Sequence, residues 1–517
     1  MNGKDRAPLD GGSASEDEKD ESSLGPGERE MTWRESNKKM RGERLAELEA
    51  EKRVARREAV GDAQSVMRQA CQRQRDIIAQ VNFVLGRVEW RAIKGKKRFL
   101  GEGSVTRYGE HIRKAYKDLR TLPEGRGVQR CTDLRRKHAV ALVKHWLETG
   151  VAAATIQNRT SALRRWLDLM GKPDVIPCDQ DWLTILRQHG VDTRKLVVEK
   201  VAVTPKDWES NGVDPMELIE KVWMDCEVVG AQLLAQLEFG ARVRESYSTN
   251  PFMDHMGNTY HFERGTKGGR RRQVELDPDR VVRAGQEEAL RRIKAVAAKH
   301  PKRFLARPGD TAKQTRSRYY YITRKHGITR KDLGVTSHGL RHQYLQRRYK
   351  GTSGLPAPVQ NEVPASEYLT NAEAVDQAMQ ITALDAGHWR KRIQGAYTGS
   401  VGKLTKIQQK NMNANLALLQ DREDVDKVLQ DFGATGLWFI GRAASGLNIG
   451  DGQAFDMVVL RDSYPTNEER KALVQQLQAL TGKPMRISVI VGIDEVSSDA
   501  LEVVYLSQST PLLRSGT

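Results

Sequence analysis

The sequence is short of cysteine, of long apolar runs and of acidic charge. Its four cysteines, Cys71, Cys131, Cys178 and Cys226, are scattered through 517 residues with no CxxC pair. That spacing excludes a zinc ribbon and a disulfide framework, and it suits a reducing compartment. No stretch approaches the ~18 consecutive apolar residues of a membrane span. The opening MNGKDRAPLDGGSASEDEKDESS lacks the apolar core of a secretory signal. The expectation is a cytoplasmic protein with no membrane partner. Acidic residues number 67 against 85 basic ones, for a net charge of +18 and a pI near 9.6. Charge does not dictate a fold, but this balance favours a polyanionic partner, nucleic acid first.

The length predicts several domains. Residues 1–33 are rich in Gly, Ser, Asp, Glu and Lys and read as a disordered polar tail. Residues 34–95 read as a charged helical region, with apolar residues returning at helical period from Gln64 to Val88 and a basic segment from 91. Residues 96–190 read as four short helices, the first capped by Ser104. The helix from Thr155 carries Arg159, Arg164 and Arg165 on its polar face, where they would meet DNA. Residues 205–402 mix long helices with a small sheet. NTYHFERGTKGGRRRQVEL gives two short strands around a glycine-rich basic turn, with Arg270 and Arg271 as DNA contacts. Residues 403–517 read as a small α/β domain. The expected class is mainly α with small β-sheets (α+β), plus this extra α/β domain.

One stretch concentrates unusual chemistry. TSHGLRHQYLQRRY, Thr336 to Tyr349, holds two histidines and three arginines in fourteen residues. It is either a solvated basic face or half of a phosphate site. Breaking a DNA strand without metal or nucleotide needs a hydroxyl nucleophile and cations on the non-bridging oxygens. It also needs groups that take one proton and give another. Guanidinium suits the phosphate because its fork matches two oxygens. The second half of the chain supplies this kit in order. Arg242 lies in GARVRES with Glu245 three residues on, sharing a face if the preceding helix continues. Lys267 sits in GTKGGRRR, His338 and Arg341 in SHGLRH at i and i+3, His388 in DAGHWRKR, and Tyr397 in IQGAYTGS.

That order resembles the tyrosine recombinases, or phage-type integrases. GARVRE is similar to their first arginine element, TSHGLRHQY to their second, and the GH of GHW with Tyr397 nine residues after His388 to their third. The resemblance covers roughly residues 100–400. It implies a helical, SAM-like core-binding domain followed by a catalytic domain. It also implies Tyr397 as a nucleophile forming a 3′-phosphotyrosyl link, and Arg242 and Arg341 on the scissile phosphate. Lys267 would protonate the 5′ oxygen, His338 would assist proton transfer, His388 would donate to the phosphate, and Glu245 would brace the site. A free phenol titrates near ~10, so it needs such a cationic pocket at neutral pH. The resemblance further implies a homo-tetramer on paired double-stranded DNA sites in a nucleoid-associated protein. Accessory DNA-bending or element-encoded proteins are possible partners. No metal or other cofactor is implied.

Competing assignments stay open at this point. Arg270, Arg271 or Arg272 could take the place of Lys267, Arg244 that of Arg242, and His342 that of His338. Tyr319, Tyr320, Tyr321, Tyr344 and Tyr349 read as core or DNA-lining residues, and Trp389 as packing. Two rivals share the kit: a type IB topoisomerase-like relaxing enzyme, and a DNA-binding protein that keeps the fold without the catalysis. The chain departs from the family in a long gap between Arg341 and His388 and in its C-terminal domain. FIGRAASG and AFDMVVL weakly resemble the strand-turn of small nucleotidyltransferases, with Ala454 at the first aspartate position and Asp456 left alone. A two-metal site needs more carboxylates, so a non-catalytic module is expected.

Overall fold

The computed structural model describes residues 62–88, 102–388, 393–420, 422–449, 453–491 and 501–505. The expected tail at 1–33, the charged stretch up to residue 61, most of the basic segment from 91, and Trp389 lie outside the described residues. The chain divides into two compact units, Met1–Val198 and Glu199–Thr517.

The first unit is helical. Residues 62–73 and the helix Ile77–Leu85 share one core with the helices Arg136–Glu148 and Ala153–Leu169, through Met67, Val81, Trp146 and Trp166. The boundary expected near residue 95 therefore separates no two cores. Ser104 is not the cap either, because helix Glu102–Thr121 begins before it. Buried polar tips are satisfied inside: Trp146 Nε1 donates to Asp118 at 2.8 Å and Trp166 Nε1 to Tyr116 Oη at 2.9 Å. Cys71 and Cys131, far apart in sequence, bring their sulfurs to 3.9 Å as free thiols.

Two of the expected DNA contacts in this unit need correction. Arg165 is buried and pairs with Asp168 at 3.5 Å. Arg159 is only 13% exposed, with its guanidinium 5.0 Å from the Trp146 ring and 3.7 Å from Asp118. Both spend their charge inside the unit. Arg164 stays partly exposed, bonded to Ile176 O and Asp179.

In the second unit, Asp214 caps helix Pro215–Asp225, accepting from the backbone of Met216 and Glu217. The apolar helix Glu227–Phe239 follows and is buried nearly all round. A glycine at a left-handed C-terminal position, Gly240 at φ +55°, stops it. A three-stranded antiparallel sheet comes next: β1 (His255–Met256), β2 (Thr259–Phe262) and β3 (Arg272–Glu275), with Phe262 opposite Arg272. Helices Arg280–Ala298, Ala312–Lys325 and His338–Ser353 complete the main core with Trp208, Phe239 and Tyr319.

The long gap before His388 is filled by helices Ala365–Thr370 and Ala372–Asp385. They share a smaller core with Tyr349 and with Leu404 of helix Val401–Leu416. Gln408 of that helix is buried and bonds Asn361, Val363 O and the Ala365 backbone N–H, each at 2.9 Å.

The C-terminal part has its own core around Leu429, Phe439, Val459 and Leu477. Its sheet runs β6-β5-β4-β7, with strands β4 (Ala434–Phe439), β5 (Phe455–Arg461), β6 (Met485–Ile490) and β7 (Leu501–Tyr505). β5 and β6 are parallel, joined across helix Asn467–Thr481, and the other pairs are antiparallel. The apolar run GLWFIGRAASG divides into the end of β4 and a short helix, Gly441–Ala444. Asp456 pairs with Arg486 at 2.7 Å. Asn411 and Asn415 bond the carbonyls of Gly446 and Ala443, and Gly446 lies against the backbone of Gln408.

Candidate active site

The site is built where helix Glu227–Phe239 ends. The expected continuous helix does not occur, and Gly240 and Ala241 turn the chain. Arg242 then caps a new short helix, Val243–Ser248. Arg242 and Glu245 meet through that cap: the Arg242 backbone N–H donates to Glu245 Oε2 at 2.8 Å and its Nη1 to Oε1 at 2.5 Å. Arg242 Nη2 also donates to Ala386 O at 2.7 Å. Arg244 is not part of these contacts.

Arg341 reaches the Ala386 carbonyl too, from helix His338–Ser353. It is fully buried, and it donates to Gly240 O and, at 2.7 Å, to Ala386 O. The other two arginines of this helix do different work. Arg347 pairs with Glu238 at 2.7 Å and Arg348 with Asp277 at 2.9 Å. Of the stretch's three arginines, then, one enters the site and two pin the helix down.

The third wall is the segment from Asp385 to Tyr397. His388 follows the turn at Gly387, and Tyr397 sits in the short helix Gly395–Thr398, 9% exposed. The Tyr397 ring centroid lies 4.8 Å from His342, 6.0 Å from His338 and 6.0 Å from His388, with the Arg341 guanidinium at 5.4 Å. Arg341 Nε, His342 Nδ1 and His388 Nε2 are buried with no partner among the described residues. Buried polar atoms left without a partner call for an explanation, and an absent ligand is one.

A cavity of about 510 Å³ opens beside Tyr397, lined by Lys206, Arg330, Thr336, His338 and His342. Lys206 and Arg330 escaped the sequence reading because no pattern surrounds them. Lys267 stands exposed at the β2–β3 turn, in the 3-10 turn Lys267–Gly269. Its charge reaches His388, but among the described residues no hydrogen bond or ion pair joins it to the other site groups. Arg270 and Arg271 are exposed on the same hairpin, Arg271 beside Glu263 at 3.5 Å.

The imidazoles are held neutral. Burial, then Arg341, Arg242 and Lys206, push His338 down to about 4. His338 is an exposed residue that lines the cavity, and the neighbouring cations weaken its basicity there. Burial, Arg242 and Arg341 push His388 to about 4, and burial with His338 pushes His342 to about 3. A neutral imidazole can accept a phenol's proton, whereas a charged one cannot.

The sign of the stability effect follows. These folded values lie below the ordinary 6.5, so the unfolded chain takes up protons first. Stability is whole above about pH 6.5 and falls as pH drops from there through about 4. Thermal melts across that window should show the slope, and His342→Asn should flatten part of it.

Gly240 has a second duty. Its carbonyl serves Arg341 and Arg272, and a Cβ there would overlap the Tyr344 ring. Gly240→Ala is expected to cost about 1–3 kcal/mol in urea unfolding, from positive φ and overpacking together.

No protein-family model matches the chain, and no curated protein matches it. Solved structures do resemble it. A lambda integrase dimer bound to a COC′ core site aligns at TM-score 0.37 and 13% identity, covering 58% of this chain and 73% of the other. The Tn1549 transposon integrase with transposon right-end DNA gives 0.35 and 12%, covering 59% and 92%. The XerH site-specific recombinase on its difH substrate gives 0.35 and 15%, covering 63% and 81%. Superpositions this loose carry no residue-level argument, and the chemistry below rests on this chain's own side chains.

Proposed function

We propose that this chain is a metal- and ATP-independent DNA strand-breaking and rejoining enzyme, a site-specific recombinase of the tyrosine type. The observation that carries the reading is the convergence on Tyr397 of Arg341, His338, His342 and His388, with polar atoms of three of them buried and unpartnered among the described residues and more guanidinium than carboxylate around it. A phosphodiester supplies what that spot asks for: one negative charge and acceptor oxygens.

In this reading the Tyr397 phenol oxygen attacks phosphorus and the 5′ oxygen leaves, giving a 3′-phosphotyrosyl ester and a free 5′ hydroxyl. The phenol proton passes to neutral His338. Arg242 and Arg341 hold the non-bridging oxygens, His388 donates to one of them, and Lys267 moves in with the DNA to protonate the leaving oxygen. Glu245 braces the arginines. Exchange of one ester for another conserves the bond, so no external energy source is needed. The assembly is a homo-tetramer on two DNA sites, exchanging strands in pairs through a Holliday junction, and the role is integration, excision or cointegrate resolution for a mobile element. Phosphate contacts by Arg164, Arg270 and Arg271 should make binding fall steeply with salt.

The test is a covalent-adduct assay. Purified protein meets nicked duplexes tiled from the DNA flanking its own gene and is run on a denaturing gel. A protein-linked band with a free 5′ hydroxyl supports the reading. Binding without any band on every duplex favours a DNA-binding protein that does not cut. Adducts and relaxation without junction products favour a topoisomerase.

A further inference from the structure

The proposed chemistry leaves one arginine at the site unused. Arg272 closes the run GGRRR, and its two neighbours Arg270 and Arg271 are exposed. Arg272 is not: its side chain is 2% exposed. Strand alternation explains the difference, since Arg272 and Val274 share the inward face of β3 while Gln273 and Glu275 point out. The guanidinium lies 3.9 Å from the ring centroid of Phe262, its cross-strand partner. It cannot grip DNA as an exposed turn residue would, nor stand in for Lys267.

What it grips is the frame of the site. Nη2 donates to Glu245 Oε2 at 2.8 Å and to Gly240 O at 2.9 Å, and Nη1 donates to Asp385 O at 2.6 Å. Those acceptors belong to the segments that hold the phosphate-facing groups. Glu245 holds Arg242, and Gly240 O also accepts from Arg341. The carbonyl after Asp385, that of Ala386, accepts from both Arg242 and Arg341. His388 follows two residues later. Gly387, at φ +66°, lets the turn close on this group: a Cβ there would stand 3.1 Å from Arg272 Cδ and 3.8 Å from Arg242 Nη1. One buried fork thus ties the turn at Gly240, the capping glutamate and the Asp385–Gly387 turn.

We infer that Arg272 is a positioning residue for phosphodiester cleavage. It never touches the DNA. It sets the aim of Arg242 and Arg341 through the acceptors they share and fixes the turn that presents His388. This rests on the reading of Tyr397 as the nucleophile of a phosphodiester exchange. A planar fork can serve three acceptors in fixed directions, and an ammonium cannot. Small misplacements of phosphate-holding groups have large effects on rate and small ones on affinity.

The test is Arg272→Lys, which keeps the charge and loses the fork. The parent and the variant are compared by single-turnover cleavage of a nicked duplex, by DNA affinity and by thermal melting. The expected result is a cleavage rate lower by about a hundredfold, with affinity within about twofold and a folded protein. Cleavage at the parent rate overturns the inference. So does a rate loss matched by equal losses of affinity and folded fraction, which would make Arg272 a purely structural residue. If Arg272→Lys does not fold, Phe262→Leu removes only the ring beneath the fork. Cleavage there should fall by about tenfold with affinity kept, and an unchanged rate overturns the inference. A parent that forms no adduct on any duplex removes the nucleophile reading itself, and this inference with it.

Discussion

Tyr397→Phe is expected to abolish the proposed covalent adduct and to leave DNA binding as it was. The substitution removes one oxygen and keeps the ring. Its contacts with His342, His338, His388 and the Arg341 guanidinium are ring contacts, so the fold and the charge of the pocket survive. Loss of a sole nucleophile lowers the rate by about 10³-fold or more, beyond what a gel resolves. The measurement is single-turnover cleavage of an end-labelled nicked duplex, with binding followed by fluorescence anisotropy. Other tyrosines are poor substitutes. Tyr319, Tyr344 and Tyr349 are buried, and Tyr344 donates its hydroxyl to Asp385 at 2.8 Å. Tyr320 and Tyr321 are exposed on helix Ala312–Lys325, at 39% and 64%. An adduct that survives in the variant would point to them and sink the assignment.

Glu245→Gln gives the largest expected change in stability. Arg242 and Arg272 both bond the Glu245 carboxylate, which is completely buried. Burial alone would raise its pKa. Arg272, then Arg341 and Arg242, outweigh burial and hold it at about 2, against an ordinary 4.5. That difference is worth on the order of 3 kcal/mol. The contribution is present above about pH 4.5 and is lost as pH falls through about 2. Removing the charge leaves buried guanidiniums facing one another, for which the expected cost is about 3–5 kcal/mol. Urea unfolding at neutral pH checks the size. Added inorganic phosphate should recover more stability in the variant than in the parent, because it replaces the missing anion. A variant as stable as the parent would mean that solvent already screens these arginines.

Much of this site could be read from the sequence because its residues sit in short local patterns. His338 and Arg341 occupy one face of one helix, as i and i+3 positions must. The glycine before His388 belongs to the third family element, and the structure puts it at a turn with positive φ. Other features could not be read locally. Whether the helix before Arg242 continued depended on Gly240, which turns left-handed against the Tyr344 ring, more than a hundred residues downstream, with no room there for a Cβ. Arg165 looked solvent-facing on its helix, yet its burial depends on neighbours that a helical wheel does not contain. Arg272 was hidden by its neighbours: three arginines in a row read as one basic turn, and only strand alternation divides them. Lys206 and Arg330 join the cavity wall purely by tertiary placement. In the C-terminal part, the strand and helix periods were legible, but the break at Ile440 was not, because the apolar run continues across it.

The tail after Tyr397 cannot be trimmed as though it were an appendage. Helix Val401–Leu416 starts four residues beyond Tyr397 and supplies Leu404 and Gln408 to the insertion between Arg341 and His388. The same helix holds the final sheet domain through Asn411, Asn415 and the glycine contact at Gly446. Insertion, helix and tail domain are therefore one heritable block. Grafting this insertion alone into a shorter relative would leave Asn361 and the Ala365 amide without the side chain that joins them, and swapping tails between such proteins should succeed only when the insertion travels with the tail.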